Sequence, residues 1–373
     1  MRSGHPWVFS SDIVDRGDAA PGDVVKVADT RSRVLGTAHY SAASQITLRM
    51  LDRRIVEVDR AFFLLRLEKA AAYRREVVSG SEAYRLVYGE ADALPGLIVD
   101  RYGETLVLQA LDQGMDRATP LIADCLTELF APSGIIARND AAVRRREDLP
   151  LETRVIAGEA PSLVAVRMNG LVFHADLLTG PKTGVFLDQR ENYVAVARWA
   201  KGRALDCFTS SGGFALHMAS RTESVEAVDS SASALALARQ NAEAGGVGNV
   251  TFREADVFDL LAGYAAAGRR FETVVLDPPA FAKSRSAVEG ALRGYKEINL
   301  RALRLLGEGG ILATCSCSHH VSEAMLLEVV AQASLDAGKT LRVLDRRTQA
   351  ADHPILLTAP ETHYLKCLLL QVA

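Results

Sequence analysis

Apolar and polar positions change their spacing along the chain in three stages. Over the first fifty-odd residues they alternate in short runs. Val24-Val25-Lys26-Val27 follows the turn signal Pro21-Gly22-Asp23, and Gly36-Thr37-Ala38-His39-Tyr40 and Gln45-Ile46-Thr47-Leu48-Arg49-Met50 show the same strand-like pattern. A small β-rich domain is predicted over residues 1–58. Residues 59–78 switch to helical spacing, with Phe62, Phe63, Leu65, Leu67, Ala70, Ala71 and Tyr73 set among charges. From 84 to about 175 the texture is mixed. Strands are predicted at 84–88, 97–100, 106–110 and 134–138, a turn at 92–96 and an amphipathic helix at 115–130. This predicts a central α+β domain, which with the helix before it spans 59–180.

Beyond residue 180 strand and helix alternate. Apolar strands are predicted at 204–208, 225–229, 250–252, 274–277 and 310–314, with helices starting at 214 and spanning 231–244 and 296–306. Alternation of this kind predicts an α/β fold, a parallel, doubly wound Rossmann-like sheet over residues 181–373.

Composition narrows the class. The 373 residues are 49% apolar and 24% charged, as expected of a globular chain of two or three domains. No run of eighteen apolar residues is present, so no membrane span is expected, and residues 1–20 lack the pattern of a signal peptide; a cytoplasmic protein is expected. The five cysteines, at 125, 207, 315, 317 and 367, are odd in number and dispersed, which argues against a disulfide framework. Cys315 and Cys317 have no second cysteine pair to complete a zinc site, so no metal is expected and a nucleophilic role is preferred. The net charge of −3 does not advertise a nucleic-acid binder, although a local basic face such as Arg144-Arg145-Arg146 or Arg53-Arg54 suffices for one.

Candidate chemistry sits at the predicted strand ends. Gly212 and Gly213 let the backbone approach a ligand between the first strand of the alternating region and its helix. Asp229, at the end of the next strand, is suited to two ribose hydroxyls, and Asp256-Val257 to an adenine amino group and ring. With Asp206 these make three acids facing one adenosine-like ligand. Such a pocket suits a sulfonium and repels a pyrophosphate, which favours S-adenosyl-L-methionine over a nicotinamide dinucleotide. The prolines of Asp277-Pro278-Pro279-Ala280-Phe281 stiffen the exit of another strand, and Phe281 can stack on a base. Thr314-Cys315-Ser316-Cys317-Ser318 follows the last apolar run. A thiol and an acid at two such ends can face one crevice.

Together, Asp206–Phe214, Asp277–Phe281 and Thr314–Ser318 resemble the methyltransferase domain of the large-subunit (23S) ribosomal RNA cytosine-5 methyltransferase family, the I-type enzyme and its relatives. Lys182–Asn192 resembles the block before that family's first cofactor motif, Gly4-His5-Pro6-Trp7-Val8-Phe9 the start of its PUA domain, and Asp92–Asp100 the entry to its central domain. The resemblance runs from about residue 4 to the end. It implies an RNA-binding PUA domain, a central domain and a class I methyltransferase domain acting on ribosomal RNA. The residues expected at the cofactor are Asp206, Phe208, Thr209, Ser210, Gly212, Gly213, Phe214, Asp229, Ser230, Asp256, Val257, Asp277, Gln189 and Arg190. Those expected at the RNA base and its phosphate are Pro278, Pro279, Phe281 and Lys283.

Carbon 5 of cytosine is a poor nucleophile, and addition of a thiolate to carbon 6 converts the ring to an enamine that attacks a methyl donor. Cys315 is the expected nucleophile, following the strand directly, with Cys317 the second candidate and Asp277 supporting protonation at nitrogen 3. For the base that removes the carbon 5 proton, Cys317, His319 and a water all stay open. The target base is expected to be single-stranded or flipped. The competing readings are transfer to a guanine nitrogen, which needs no thiol, and an RNA-binding protein without catalysis. A homodimer is permitted but not required.

Overall fold

The N-terminal alternation folds as β1 (Trp7–Phe9), β2 (Val24–Ala28), β3 (Val34–Tyr40) and β4 (Ile46–Asp52). They form one antiparallel sheet in the order β1-β4-β3-β2 around Val8, Val27, Ala38, Tyr40 and Leu48. The computed structural model describes residues 4–373; the Met1-Arg2-Ser3 ahead of the Gly-His-Pro-Trp block lie outside the described residues. Helix α1 (Arg60–Val77) begins where the Asp59 carboxylate accepts the Phe62 N–H, and buries Phe62, Phe63, Leu67, Ala70 and Ala71 on one face.

A second sheet contains β5 (Ala83–Tyr88), β6 (Leu97–Tyr102) and β7 (Thr105–Ala110), followed by α2 (Gln113–Phe130), β8 (Gly134–Asn139) and β9 (Glu152–Gly158). Its order is β5-β6-β7-β8-β9, and only β7 and β8 run parallel, joined by the α2 crossover. Strands β10 (Leu163–Met168) and β11 (Leu171–Asp176) follow, with Asn169-Gly170 between them.

The alternating region supplies α3 (Arg190–Trp199), β12 (Arg203–Cys207), α4 (Gly213–Ala219), β13 (Ser224–Asp229), α5 (Ala232–Ala244), β14 (Val250–Glu254), α6 (Val257–Ala266) and β15 (Phe271–Leu276). It ends with α7 (Val288–Leu305), β16 (Leu306–Ser316), α8 (Glu323–Asp336), β17 (Leu341–Arg347) and β18 (Lys366–Val372). The seven-stranded sheet runs β14-β13-β12-β15-β16-β18-β17, with β18 antiparallel to both neighbours. From β12 the chain builds outward through β13 and β14, then returns to build the other way from β15. The carboxyl ends of β12 and β15 therefore flank the topological switch point, where ligands bind in open α/β sheets.

Two differences from the sequence reading matter. The three consecutive domains become two compact units: the chain up to Arg167 with Ala175–Leu187 and Ala351–Thr362, and Met168–His174 with Asp188–Ala350 and His363–Ala373. The boundary expected at 181 is crossed because short segments alternate between the units. Second, the strand expected to end at 314 continues to Ser316, because β18 pairs with it from Ile311 to Ser316. Cys315 thus lies inside a strand rather than after it. Among the described residues, no helix is long and apolar enough to cross a membrane.

Candidate active site

The site is built on the second unit, at the carboxyl ends of β13, β12, β15 and β16. The loop after β12 has an unusual backbone. Phe208, Ser210 and Gly212 have φ of 65°, 49° and 91°, the left-handed region that non-glycine residues seldom adopt. Glycine answers a different need at 213: a Cβ there would come within 2.3 Å of the Tyr193 ring, so α4 packs on that ring only without a side chain. Buried Phe214 meets Tyr193 edge-on at 4.8 Å. Its side chain thus packs α4 against the Tyr193 ring. His217 locks the same turn. Burial holds its pKa down at about 4, so the ring is neutral; Nδ1–H donates to the Gly213 carbonyl and Nε2 accepts from Asn169.

Asp206 closes the floor of the loop. Its Oδ2 accepts from Thr209 Oγ1 (2.6 Å) and the Ala215 N–H (2.9 Å), while Oδ1 is buried with no hydrogen-bond partner among the described residues. Burial, and then the charge of Asp277, push its carboxyl up to about 7, against the hydrogen bonds it accepts. A cation against Oδ1 would satisfy the oxygen and favour ionisation. Asp229 accepts the N–H of Ser210 and of Ser231, each at 2.9 Å, which ties the loop to the end of β13 across Ser230. Asp256 caps α6 by accepting the Asp259 N–H, and buried Val257 follows it. These acids and the loop fit an adenosine ligand bearing a cationic centre.

The neighbouring strand ends carry the remaining groups. Gln189 is buried and bridges them: its Nε2 donates to Asp277 Oδ1 (3.0 Å), and its Oε1 accepts from Asn192 (2.7 Å). Arg190 is buried beside it, and its carbonyl accepts from Asn169. Beyond Asp277, Pro278 is buried, Pro279 and Lys283 are exposed, and Phe281 is half-buried. Phe281 packs at 4.7 Å on Tyr295 and 6.1 Å on Phe258.

The two thiols differ sharply. Cys315 is fully buried opposite Cys367 of β18, and the Cys367 contact, then burial, push its thiol well above the ordinary cysteine range. A thiol in that state is a poor nucleophile. Cys317 is half-buried beyond the strand end, with Sγ 3.9 Å from the Pro278 carbonyl oxygen. Ser318 fastens the two segments together: its Oγ accepts the Ala282 N–H (3.2 Å) and lies 3.1 Å from the Tyr295 hydroxyl. The acid loop and the second thiol therefore meet. Sequence reasoning missed Tyr193 and Lys366. The apolar run at 365–370 carries a readable strand signal; Tyr193 carries none.

Comparison with known proteins agrees with this geometry. Residues 1–53 match the PUA-like domain family, and residues 128–370 match the S-adenosylmethionine-dependent methyltransferase family. The chain is 38% identical to "Ribosomal RNA large subunit methyltransferase I" of Shigella dysenteriae, over 97% of this chain and 93% of that protein. The protein of the same name from Klebsiella pneumoniae is 39% identical, again over 97% and 93%. Two solved structures share the fold at 19% identity, covering 100% of this chain and 96% of theirs. One is a methyltransferase complexed with SAH (TM-score 0.86), the other a SAM-dependent methyltransferase from Streptococcus mutans (0.85).

Proposed function

The chain belongs to the S-adenosylmethionine-dependent methyltransferase family, and from that premise we propose that it methylates carbon 5 of a cytosine in large-subunit ribosomal RNA through a cysteine adduct. The observation that carries this reading is the meeting of Cys317 with the Asp277-Pro278 turn beside the Asp206 loop. Its relatives' names supply the RNA class, and the PUA-like domain fits an RNA substrate.

S-Adenosylmethionine, when bound, supplies an electrophilic methyl group on a sulfonium. Asp206 Oδ1 and Asp229 would hold its charged and ribose ends. The nucleophile is assigned to Cys317 rather than to the expected Cys315, because a thiol must be reachable and ionisable to attack. The Cys317 sulfur adds to carbon 6 of the cytosine, and nitrogen 3 takes up a proton as the ring electrons shift. A water supplies that proton and takes it back as the product forms, while the Asp277 carboxylate, oriented by Gln189, accepts the N3–H in between. Carbon 5 then gains the methyl group, its proton passes to a water, and the carbon–sulfur bond breaks to free the thiolate. Phe281, backed by Tyr295, is the surface on which the base would rest.

RNA containing 5-fluorocytosine tests the reading, since fluorine at carbon 5 blocks the proton loss that releases the enzyme. A denaturation-resistant protein–RNA adduct is expected, with mass mapping to the peptide carrying Cys317. Cys317→Ala should abolish it, with methyl transfer down about a thousandfold or more. Cys315→Ser should keep it. A sulfur–carbon bond at Cys315 would return the nucleophile to the strand interior. Methyl transfer without an adduct, with the methyl on a guanine nitrogen, would replace the covalent mechanism.

A further inference from the structure

Lys366 opens β18 opposite Ser316 of β16 and is only 3% exposed. Lysines near a surface usually carry the ammonium out to water. Here Nζ instead donates to the carbonyl oxygens of Ser318 and Tyr364, each at 2.7 Å. Three N–H donors are available to an ammonium, and these carbonyls take two. The Ser318 carbonyl lies one residue past Cys317, so the bond holds the backbone that carries the thiol. Burial pushes the lysine's pKa down to about 8, while Cys317 and then Glu323 favour its charge. Glu323 is itself paired with Arg346. The Tyr364 side chain contributes a hydroxyl donated to Asp188 and a ring 5.4 Å from that of His319. The steps of the proposed methyl transfer give no part to this buried amine.

We propose that Lys366 is a positioning residue for Cys317: its two carbonyl bonds fix the turn that presents the sulfur, and its ammonium favours the thiolate. The proposal rests on Cys317 being the nucleophile. The proton balance is simple. The thiol proton leaves to water as the S–H bond breaks, giving a thiolate beside the Lys366 ammonium. The final elimination returns the thiolate, so Lys366 keeps its proton through the cycle.

The test is the pH dependence of Cys317 alkylation by iodoacetamide in the full chain, read by mass spectrometry of the peptide that carries it. Wild type should show a midpoint below the ordinary cysteine value of about 8.5. Lys366→Met should move it up by about one unit or more, and Lys366→Arg by less. In methyl transfer, Lys366→Met should lower kcat with little change in the KM for S-adenosylmethionine, and raise the pH of best activity. An unmoved midpoint in a folded Lys366→Met variant would overturn the proposal. Should that variant not fold, a wild-type midpoint at or above the ordinary value overturns it alone. Alkylation needs no methyl transfer, so the two readings fail separately. A Cys317 adduct with an unmoved midpoint sinks the role of Lys366 only; no adduct with a moved midpoint sinks the nucleophile only.

Discussion

The deep acids of the first unit and Asp206 of the second are buried in opposite ways. In the first, deep carboxylates sit against cations, and even the Asp112 oxygen that accepts no hydrogen bond lies 3.4 Å from the Arg49 guanidinium. Arg49 lies among Glu147 (2.9 Å), Asp112 (3.4 Å) and Glu90 (3.8 Å), and Glu147 also accepts from Ser41. Arg85 grips Asp100 through two bonds of 2.8 Å, and Arg74 meets Asp92. In the second unit Asp206 is equally buried, yet no lysine or arginine among the described residues pairs with it and one oxygen has no partner. The first arrangement is what a fold does to make buried charge tolerable. The second is costly for folding alone and becomes reasonable when a cationic ligand completes it.

The comparison breaks most readily at Arg49. Arg49→Leu leaves three acids around an apolar side chain and is expected to cost about 3–5 kcal/mol in denaturant unfolding. A loss under about 1 kcal/mol would mean that the cluster is not a structural charge pair.

The next effect is on ligand binding. Asp206→Asn keeps the shape but removes the charge, and should weaken S-adenosylmethionine binding by about tenfold or more in calorimetry while leaving unfolding stability equal or higher. Unchanged affinity would show that the orphaned oxygen does not face the cofactor. Asp229→Ala, which also frees the Ser210 and Ser231 N–H groups, should weaken binding as well.

The smallest effect is a difference in sign. Burial pushes the Asp112 carboxyl up, but the His39 ring, Arg49 and the Met115 N–H outweigh it, and its pKa is lowered. Its contribution to stability is present above the unfolded value near 4 and lost as pH falls through the lower folded value. Asp206 is raised to about 7, so the folded protein holds an extra proton between about 4 and 7 and loses stability as pH rises through that window. Asp206→Asn should flatten the stability slope there, and Asp112→Asn should flatten the slope on the acid side. Unfolding midpoints across the pH range check both; parallel profiles for the two variants would erase the distinction.

Much of this was legible locally. Helices α1 and α5 match the predicted spans to within a residue or so, because each has a side-chain cap and a clear apolar pattern. The Asp206 loop and the Asp-Pro-Pro turn were readable because acids, glycines and prolines at strand ends form compact patterns. Helices α3, α6 and α8 and strands β17 and β18 were not assigned. Packing set by distant neighbours was not legible either: Phe214 meets Tyr193, and Phe281 packs on Tyr295 and Phe258.

The sequence by itself determined the alternation of strand and helix, the acids at the strand ends and the presence of two thiols near the last parallel strand. These follow from spacing and from backbone preferences that act over a few residues. Which thiol is accessible was decided only by the tertiary structure. The end of the chain returns as β18, antiparallel to β16, and its register sets Cys367 on Cys315 and Lys366 opposite Ser316. One pairing buries the first thiol and brings a buried ammonium beside the turn that carries the second. Residues some fifty positions apart in the chain create that contrast, and no local pattern contains it.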